Sequence, residues 1–517
     1  MNKEQLYRLL REQFGHSSFR EGQEEIITDV LQKNDVLGIL PTGTGKSICY
    51  QLPASILPGT TVIISPLVSL MIDQVKQLKA SGFKKAVALN SFLGREMRMK
   101  VLRNLEKYKL VYLSPEMLQH SFIVDKLSSM DIPLVVIDEA HCISQWGHEF
   151  RTDYLKIRRI LPHLDDPTVL ALSATATPEV QADIRSQLGR SNMIGHIYPM
   201  DKRNITFSVE QCRHPEEKIN RIVEVLRENH VPSMIYFSSR NWTEKVAFAL
   251  EEQLEGRKIA YYHGGMDQTD RLLIQQQFMN GELDVICCTS AFGMGINKKD
   301  IRMVIHFHLP SQLESYIQEI GRAGRDGHPC LSLLLFTESD YHIPKGLIES
   351  ELPEKRVLKP LMNRLYVVHE ENIPLPSDES MQLELELSES QWRFLKFQLE
   401  KVEILQGNKL HYNHQEWQEF ISTMSALIDH RMQRKYNRLH ELLEWVHHDG
   451  CRREKLYSTF QKGFREPTVT CCDYCGFAIT REKLFPELET HRSERDHVPW
   501  EERLRKVFHQ EEFQHES

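Results

Sequence analysis

The stretch PTGTGKS at residues 41–47 decides the fold of the first half of this chain. It directly follows DVLGIL at residues 35–40, a short apolar run with the composition of a buried strand. Gly43 and Gly45 allow the backbone to curl so that its N–H groups face an anion, and the helix that follows adds its positive N-terminal end. Strand, glycine-rich turn and helix in this order predict an α/β fold with a phosphate-binding loop.

The side chains of this loop suit a nucleoside triphosphate with its Mg²⁺. Lys46 can bridge the β- and γ-phosphates, and the Ser47 hydroxyl can bind the metal. The strict pattern has a glycine five residues before Gly45, where this chain has Leu40. An accidental turn is the alternative interpretation. We expect ATP to bind against Thr42, Gly43, Thr44, Gly45, Lys46 and Ser47.

A second strand pattern, LVVIDEAH at residues 134–141, ends in two acids. The carboxyl end of a parallel strand opens onto a ligand crevice, so we expect both carboxylates at that crevice. Asp138 suits contact with Mg²⁺, and Glu139 suits positioning and deprotonation of the attacking water. An acidic strand end that leads into an ordinary helix N-cap is the alternative.

A third segment, QEIGRAGRDG at residues 318–327, lies far along the chain. Its two arginines could reach the γ-phosphate from another lobe. We expect Arg325 to act as an arginine finger, a contact that contributes about 10³–10⁵ in rate, with Arg322 beside it. A basic surface turn is the alternative. A nucleotide site shared by two lobes predicts that nucleotide turnover moves the lobes against each other.

Upstream, FGHSSFREGQEE at residues 14–25 carries three candidates for adenine recognition. The amide of Gln23 can read both the donor and the acceptor on the edge of adenine. Arg20 could support Gln23, and His16 could stack on the ring. A surface helix start would give the same pattern.

Taken together, these segments resemble the superfamily 2 helicases, and within them the RecQ-type DNA helicases. The resemblance covers about residues 5–342 and implies an ATP- and Mg²⁺-dependent DNA helicase with 3′–5′ polarity, acting in DNA recombination and repair. The family usually has a tyrosine at the position of His16, so we expect either weaker stacking on adenine or a looser nucleotide preference here. The segments that carry the resemblance are FREGQ, PTGTGKS, SPLVSLMIDQV, DEAHCISQWGHEFRTDY, SATAT, AYYHGGM, TSAFGMGINKKDIR and QEIGRAGRDG.

In that family the loop after DEAH is an aromatic-rich sensor that couples single-stranded DNA to ATP hydrolysis. The resemblance gives this role to Trp146, His148, Phe150 and Arg151. Flat rings stack on any base for about 1–3 kcal/mol each. Trp146 and Phe150, four residues apart, could equally form one face of a core helix.

Apolar strand patterns alternate with helical stretches twice along the chain, which predicts two parallel sheets covered on both faces. The resemblance implies that these are RecA-like lobes, joined by a linker near residues 200–204. A chain of 517 residues is long enough for more than one core. The predicted strands are 36–40, 61–64, 110–113, 134–137 and 169–172 in the first lobe, and 233–237, 259–262, 284–288, 302–307 and 331–336 in the second.

The ten cysteines do not predict a disulfide scaffold, because most of them are scattered singly. Cys451, Cys471, Cys472 and Cys475 differ, because they fall in the order of the RecQ zinc module. The resemblance implies a structural zinc ion bound by these four thiolates. The family has a further cysteine where this chain has Val469, so Cys471 is the expected substitute, although adjacent side chains in an extended backbone point apart.

These patterns divide the chain into five regions. In the third region either of two structures fits the sequence: a small winged-helix insertion with GNKLHYN at residues 407–413 as its wing, or a helical spacer. A set of basic residues near the zinc module is expected to contact the backbone of duplex DNA: Arg431, Arg434, Lys435, Arg438, Arg452, Arg453 and Lys455. The five regions are residues 1–204 and 205–342 (the two lobes), 343–430 (the insertion), 431–480 (the mainly helical zinc-binding region) and 481–517 (a charged, partly disordered tail).

The formal net charge of −8 does not argue against DNA, since binding depends on local positive tracks. We expect single-stranded and forked duplex DNA and a single-stranded-DNA-binding protein as partners, and no membrane. No signal peptide is evident, and a monomer in the cytoplasm, associated with the nucleoid, is expected. Two other functions remain open: an RNA helicase, and a DNA-annealing protein whose ATPase only switches conformation.

Overall fold

Two parallel sheets covered by helices, followed by a mainly helical region, make up the molecule. The computed structural model describes residues 3–66, 68–90, 93–144, 152–292, 298–407, 409–461, 463–479 and 484–485. The predicted fold class, two α/β lobes with a helical C-terminal region, is confirmed.

The first lobe is built on a seven-stranded parallel sheet with strand order β3-β4-β2-β5-β6-β1-β7. Its strands are β1 Val36–Ile39, β2 Thr61–Ile64, β3 Ala86–Leu89, β4 Leu110–Leu113, β5 Leu134–Ile137, β6 Thr168–Ser173 and β7 Ile194–Ile197. Its α-helices are α1 Lys3–Phe14, α2 Gln23–Leu31, α3 Ile48–Ile56, α4 Val68–Ala80, α5 Arg95–Arg103, α6 Ser121–Ser128, α7 Thr152–Leu155, α8 Ile157–Ile160 and α9 Pro178–Leu188. Short 3₁₀ helices occur at Leu105–Lys107, Pro115–Gln119, Ala140–Ile143 and Leu161–Leu164.

The second lobe has a six-stranded parallel sheet with strand order β10-β11-β9-β12-β13-β8. Its strands are β8 Ile205–Gln211, β9 Ser233–Tyr236, β10 Ile259–Tyr262, β11 Val285–Cys288, β12 Met303–His306 and β13 Cys330–Phe336. Its helices are α10 Pro215–Glu228, α11 Arg240–Gln253, α12 Gln268–Asn280 and α13 Leu313–Ile320, with a 3₁₀ helix at Glu338–Tyr341.

The central strands are apolar because both faces of each sheet are covered. In the first lobe β1, β2, β4 and β5 are buried at every residue. The strands β5, β6 and β1 are neighbours, so their carboxyl ends open side by side. This order brings PTGTGKS after β1, DEAH after β5 and SATAT at the end of β6 to one edge of the sheet.

The helical region after the lobes contains one very small sheet. Its elements are α14 His342–Glu351, α15 Leu358–Glu370, α16 Asp378–Glu384, α17 Glu389–Lys401, β14 Leu405–Gln406, β15 Lys409–Leu410, α18 His414–Val446 and α19 Arg452–Tyr457, with a 3₁₀ helix at Lys355–Val357. The antiparallel pair β14–β15 lies where a wing strand was one of the two alternatives, and the other regular elements described within residues 343–430 are helices.

The helix α18 spans residues on both sides of the predicted boundary at 430/431. The backbone is one continuous helix of 33 residues. Its first half, with Trp417 and Phe420, packs in a core with α15 and α17. Its second half, with Leu442 and Trp445, packs in the core of the second lobe. The same helix thus contacts two different hydrophobic cores along its length. Because its second half packs in the core of the second lobe, the zinc-binding region that follows is attached to that lobe.

The basic set near the zinc module contacts protein groups. Arg434 pairs with Glu179 of the first lobe, and Lys435 pairs with Glu351. Buried Arg431 lies over the ring of Phe394. The other contacts are from Arg438 to Gln312 and Glu314, from Arg452 to Asp473, from Arg453 to backbone carbonyls, and from Lys455 to Glu444. Each of these basic residues therefore has a partner within the protein, and their expected contact with duplex DNA remains a prediction.

The expected disorder of the tail at 481–517 lies outside the described residues, apart from Leu484 and Phe485. These two residues pack against the second lobe, where the Leu484 N–H donates to Asn229 Oδ1 at 2.8 Å. Within the described ranges, no helix combines the length and the apolar character that a membrane crossing requires.

Candidate active site

The phosphate loop begins directly after β1, and two of its residues need a left-handed backbone. Gly43 has φ 86° and Gly45 has φ 77°, values that a residue with a Cβ rarely adopts. The departure from the strict pattern at Leu40 has a packing reason. Leu40 is completely buried, and a Cβ on Gly22 would lie 2.7 Å from Leu40 Cδ2. The leucine therefore fills the core beneath the loop.

A cavity of about 630 Å³ lies over the loop and collects side chains from both lobes. Of the predicted loop residues only Thr44 does not line it, because its hydroxyl donates to Pro41 O at 2.8 Å. The predicted residues that line the cavity are His16, Arg20, Gln23, Thr42, Gly43, Gly45, Lys46, Ser47, Asp138, Glu139, Arg322 and Arg325. The structure therefore brings together side chains that are far apart in the sequence.

The amide of Gln23 holds the phosphate loop in place. Its Nε2 donates to Thr44 O at 2.8 Å and to Gly45 O at 2.9 Å, while its Oε1 accepts from the Arg20 N–H at 2.9 Å. The Arg20 guanidinium donates to Gly43 O. Gln23 and Arg20 thus connect the start of α2 to three carbonyls of the loop.

The acidic pair Asp138 and Glu139 lies at the end of β5, and hydroxyl groups contact Asp138. The Ser65 hydroxyl approaches Asp138 Oδ2 at 3.5 Å, and the Tyr154 hydroxyl donates to Asp138 O at 3.1 Å. Burial first, and then the charge of Glu139, raise the pKa of Asp138 to about 6. Glu139 has φ 49°, a left-handed turn that directs its side chain away from the strand line.

The DEAH segment also contacts SATAT. His141 Nδ1 lies 2.9 Å from Ser173 Oγ and 3.4 Å from Glu139 Oε2. Ser173 Oγ in turn donates to Thr175 O at 3.1 Å. Buried His141 therefore links the acid at the nucleotide cavity to the segment after β6.

The lobes meet directly at the phosphate loop. The Thr42 hydroxyl donates to Gly321 O at 2.9 Å, and a Cβ on Gly43 would lie 3.1 Å from Arg325 Cγ. Arg322 is buried beside it. Burial first, and then the charge of Arg322, lower the pKa of Arg325 to about 10. The two arginines therefore come to the loop from the other lobe.

Sequence reasoning missed two residues that support these arginines. Lys202 and Asn204 belong to the linker between β7 and β8, and both donate to carbonyls of the arginine-bearing loop. Burial first, and then the charge of Arg325, lower the pKa of Lys202 to about 7. No local pattern marks them, since a lysine and an asparagine in a polar linker are ordinary.

The four residues predicted to sense DNA, Trp146, His148, Phe150 and Arg151, lie outside the described residues.

The four predicted zinc ligands form one cluster. The sulfur atoms of Cys451, Cys471, Cys472 and Cys475 all lie within 4.8 Å of one another, and the Cys451 and Cys471 sulfurs are 3.6 Å apart. Tetrahedral zinc–thiolate bonds of about 2.3 Å place sulfurs roughly 3.8 Å apart, so the cluster fits zinc. Cys471 belongs to it despite its adjacency to Cys472. The cysteine segment pairs with Phe207 of β8, the edge strand of the second sheet.

Known proteins match this chain over most of its length. The family model for DEAD/DEAH box helicases matches residues 20–184, and the model for the helicase conserved C-terminal domain matches residues 217–327. A probable ATP-dependent DNA helicase RecS from Bacillus subtilis is 40% identical over 477 residues, which is 92% of each chain. The ATP-dependent DNA helicase RecQ of the same organism is 41% identical over 373 residues. The chain belongs to the RecQ-type ATP-dependent DNA helicases.

The match to RecQ proteins is shorter than the match to RecS. The chain spans 62% of the Bacillus subtilis RecQ and 56% of the Haemophilus influenzae RecQ, to which it is 41% identical over 353 residues. These alignments cover 70% and 68% of this chain. The chain therefore spans little more than half the length of these two RecQ helicases.

Solved structures share the two-lobed fold. The Mycobacterium smegmatis helicase Lhr bound to ssDNA and AMP-PNP has a TM-score of 0.55 at 20% identity, over 74% of this chain and 55% of that chain. The DEAD-box helicase Mss116 bound to ssRNA and UDP-BeF has a TM-score of 0.56 at 19% identity, over 75% and 86%. At such identities the likeness concerns the fold, which DNA and RNA helicases share.

Proposed function

We propose that this RecQ-type helicase unwinds duplex DNA with 3′–5′ polarity, using ATP and Mg²⁺, and acts in DNA recombination and repair. The observation that carries the ATP-driven activity is the seam between the lobes, where Arg325 of one lobe lies against Gly43 of the other. Polarity and cellular role rest on the resemblance to RecQ proteins.

The phosphate half of the site has the groups that hold a triphosphate. Lys46 and the N–H groups at the start of α3 would bind the β- and γ-phosphates. Ser47 and Asp138 line the same cavity and offer a hydroxyl and a buried carboxylate, the oxygen ligands that Mg²⁺ prefers. When bound, Mg²⁺ neutralises charge on the phosphate oxygens. Glu139 would orient the attacking water and accept its proton.

The arginine half would stabilise the charge that develops on the transferred phosphoryl group. Arg325 acts as the finger and Arg322 supports it, both from the loop that touches Thr42 through Gly321. Because these groups come from the second lobe, they complete the site only when the cleft is closed. Phosphate release then weakens the contact between the lobes, and the helicase advances along the DNA strand.

The adenine and DNA contacts follow the resemblance. His16, Arg20 and Gln23 line the cavity and would contact adenine, with Gln23 also fixing the loop. Trp146, His148, Phe150 and Arg151 would stack on bases and contact phosphate. The four cysteines would hold a structural zinc ion, since four thiolates leave no open position.

The remaining expectations concern the cellular setting. We propose a monomer that works on single-stranded and forked duplex DNA together with a single-stranded-DNA-binding protein, in the cytoplasm near the nucleoid. The molar mass measured by light scattering, with and without DNA, tests whether the protein is a monomer.

The deciding experiment is strand displacement on two partial duplexes, one with a 3′ and one with a 5′ single-stranded arm. We expect ATP-dependent displacement from the 3′ arm only, and no displacement by Lys46→Ala. Normal displacement by Lys46→Ala would remove Lys46 from the mechanism. Stimulation of ATP hydrolysis by single-stranded RNA instead of DNA would identify an RNA helicase.

A further inference from the structure

The loop at residues 321–327 is held by a lysine from another segment. Lys202 Nζ donates to Gly321 O at 2.6 Å and to Ala323 O at 2.9 Å. These are the two carbonyls that flank Arg322 in the chain. One amine therefore fixes the peptide group that precedes Arg322 and the one that follows Ala323.

A second linker residue holds the following residues of the same loop. Asn204 Nδ2 donates to Gly324 O at 2.9 Å and to His328 O at 2.7 Å. A Cβ on Gly324 would lie only 2.3 Å from that nitrogen, so linker and loop are in close contact. The position of Arg325, the next residue of the loop, therefore follows the position of the linker.

The linker is held in turn by the zinc-binding region. The side chain of Arg453 is completely buried, and it donates to Lys202 O at 2.7 Å and to Ile205 O. Arg453 lies two residues after the zinc-ligand candidate Cys451. A chain of direct contacts thus runs from the cysteine cluster through the linker to the arginine-bearing loop.

We propose that Lys202 is a positioning residue for ATP hydrolysis, which sets Arg322 and Arg325 against the phosphate loop, and that Arg453 couples the folded zinc-binding region to it. The inference rests on the proposed ATP-driven function. Electrostatic stabilisation of a transition state requires groups that are fixed before reaction, and a displacement of about 1 Å costs roughly 100-fold in rate.

The test compares Lys202→Met with Lys109→Met in the full-length protein. Lys109 is a matched control, because its Nζ also donates to a backbone carbonyl, Leu57 O at 2.7 Å, away from the cavity. We expect Lys202→Met to lower kcat of DNA-stimulated ATP hydrolysis roughly 10- to 100-fold, with the Kd for a non-hydrolysable ATP analogue within about twofold of the parent. Lys109→Met keeps the parent kcat.

Two further variants keep the test decisive if Lys202→Met does not fold. Lys202→Arg, which can donate to both carbonyls, should recover most of the kcat. Lys202→Gln should fall between, because its amide is also a donor but is uncharged and one bond shorter than the lysine side chain. A kcat for Lys202→Met equal to that of Lys109→Met would overturn the positioning role, as would a parallel loss of analogue binding. If the parent protein itself does not hydrolyse ATP, the proposed function fails instead.

The coupling to the zinc-binding region is tested by Arg453→Gln. We expect this variant to retain zinc but to lose roughly three- to tenfold in kcat, because the linker loses one of its anchors while the cysteines are untouched. Zinc is measured by atomic absorption on the same samples. Retained zinc with an unchanged kcat would show that the linker does not depend on Arg453.

Discussion

The two halves of the nucleotide seam are held in place by different means. The phosphate half is anchored locally: Gln23 and Arg20 hold the loop at residues 41–47, only 21 to 23 residues away in the chain. The arginine half is anchored from a distance, since Lys202 contacts Gly321 across 119 residues. A motif in the sequence can therefore specify the first half, whereas the second half depends on how distant segments pack.

Because of this difference, nucleotide binding and the rate of ATP hydrolysis should depend on different parts of the molecule. The side chains that hold the phosphate loop carbonyls, Arg20 and Gln23, belong to the first lobe itself. The arginine loop depends on the linker, and the linker on Arg453. Damage to the C-terminal region should therefore lower kcat and leave nucleotide affinity nearly unchanged.

The largest expected effect comes from the arginine half itself. Arg325→Ala should lower kcat of ATP hydrolysis by about 10³–10⁵, because the charge on the phosphoryl group loses its partner. The Kd for an ATP analogue should change less than about threefold, measured by calorimetry. Arg356→Ala, at a side chain that is 78% exposed, is the matched control and should keep full activity. A comparable loss in both variants would contradict the arginine finger.

The zinc cluster should show the next largest effect. Cys475→Ser removes one thiolate, so zinc content by atomic absorption should fall well below one atom per chain, and the free energy of unfolding should drop by several kcal/mol. Cys212→Ser, at a half-buried cysteine outside the cluster, should keep its zinc. Unchanged zinc in Cys475→Ser would reject the ligand assignment.

The contact between the lobes can be disturbed with a single methyl group. A Cβ on Gly321 would lie 2.1 Å from Thr42 Oγ1 and 3.0 Å from Ile317 O, so Gly321→Ala should push the lobes apart. We expect kcat to fall roughly tenfold. Misalignment that raises the activation free energy by about 1.4 kcal/mol gives that factor.

The control for this change is Gly346→Ala. Gly346 lies inside α14, and a Cβ added to it would have no other atom within 4 Å. This substitution should therefore raise stability by about 0.5–1 kcal/mol and leave kcat alone. Equal ATPase activity in the two alanine variants would show that the seam tolerates a wider gap.

An effect of similar size is expected in the phosphate half. Gln23→Ala removes two hydrogen bonds to loop carbonyls, so the KM for ATP should rise roughly tenfold, as expected for a loss of about 1–2 kcal/mol. The kcat should fall less than the affinity, because the arginine half stays anchored. A loss confined to kcat would contradict the division between the two halves.

Hydrophobic patterning predicted much of the fold. All ten predicted strands are present, and most of them are apolar runs buried within a sheet; the edge strand β10 is half-buried. Three were missed: β3, β7 and β8. The edge strand β7 is largely exposed and contains Gly195, so it lacks the pattern of a buried strand. The strand β8 ends in the polar residues Glu210 and Gln211, and the cysteine segment pairs with Phe207 in its first half.

The sequence did not show which protein groups the basic residues contact. Arg434 of α18 reaches Glu179 and Arg453 of α19 reaches linker carbonyls, while the expected contact of these helices with DNA remains a prediction. A sequence shows that a residue is charged but not which partner folding brings to it. The same limitation hid Lys202, whose role depends on two carbonyls from another lobe.

The sequence by itself determined the two α/β lobes, the phosphate loop and the acidic pair, and its resemblance to RecQ helicases pointed to the set of four cysteines. These features depend on short-range patterns: apolar period, glycine conformation and ligand spacing. The tertiary structure alone decided that Arg325 meets Gly43, that the linker holds the arginine loop, and that the zinc-binding region shares the core of the second lobe. Such contacts join segments that lie far apart in the chain, and only the packing of distant cores specifies which of them meet.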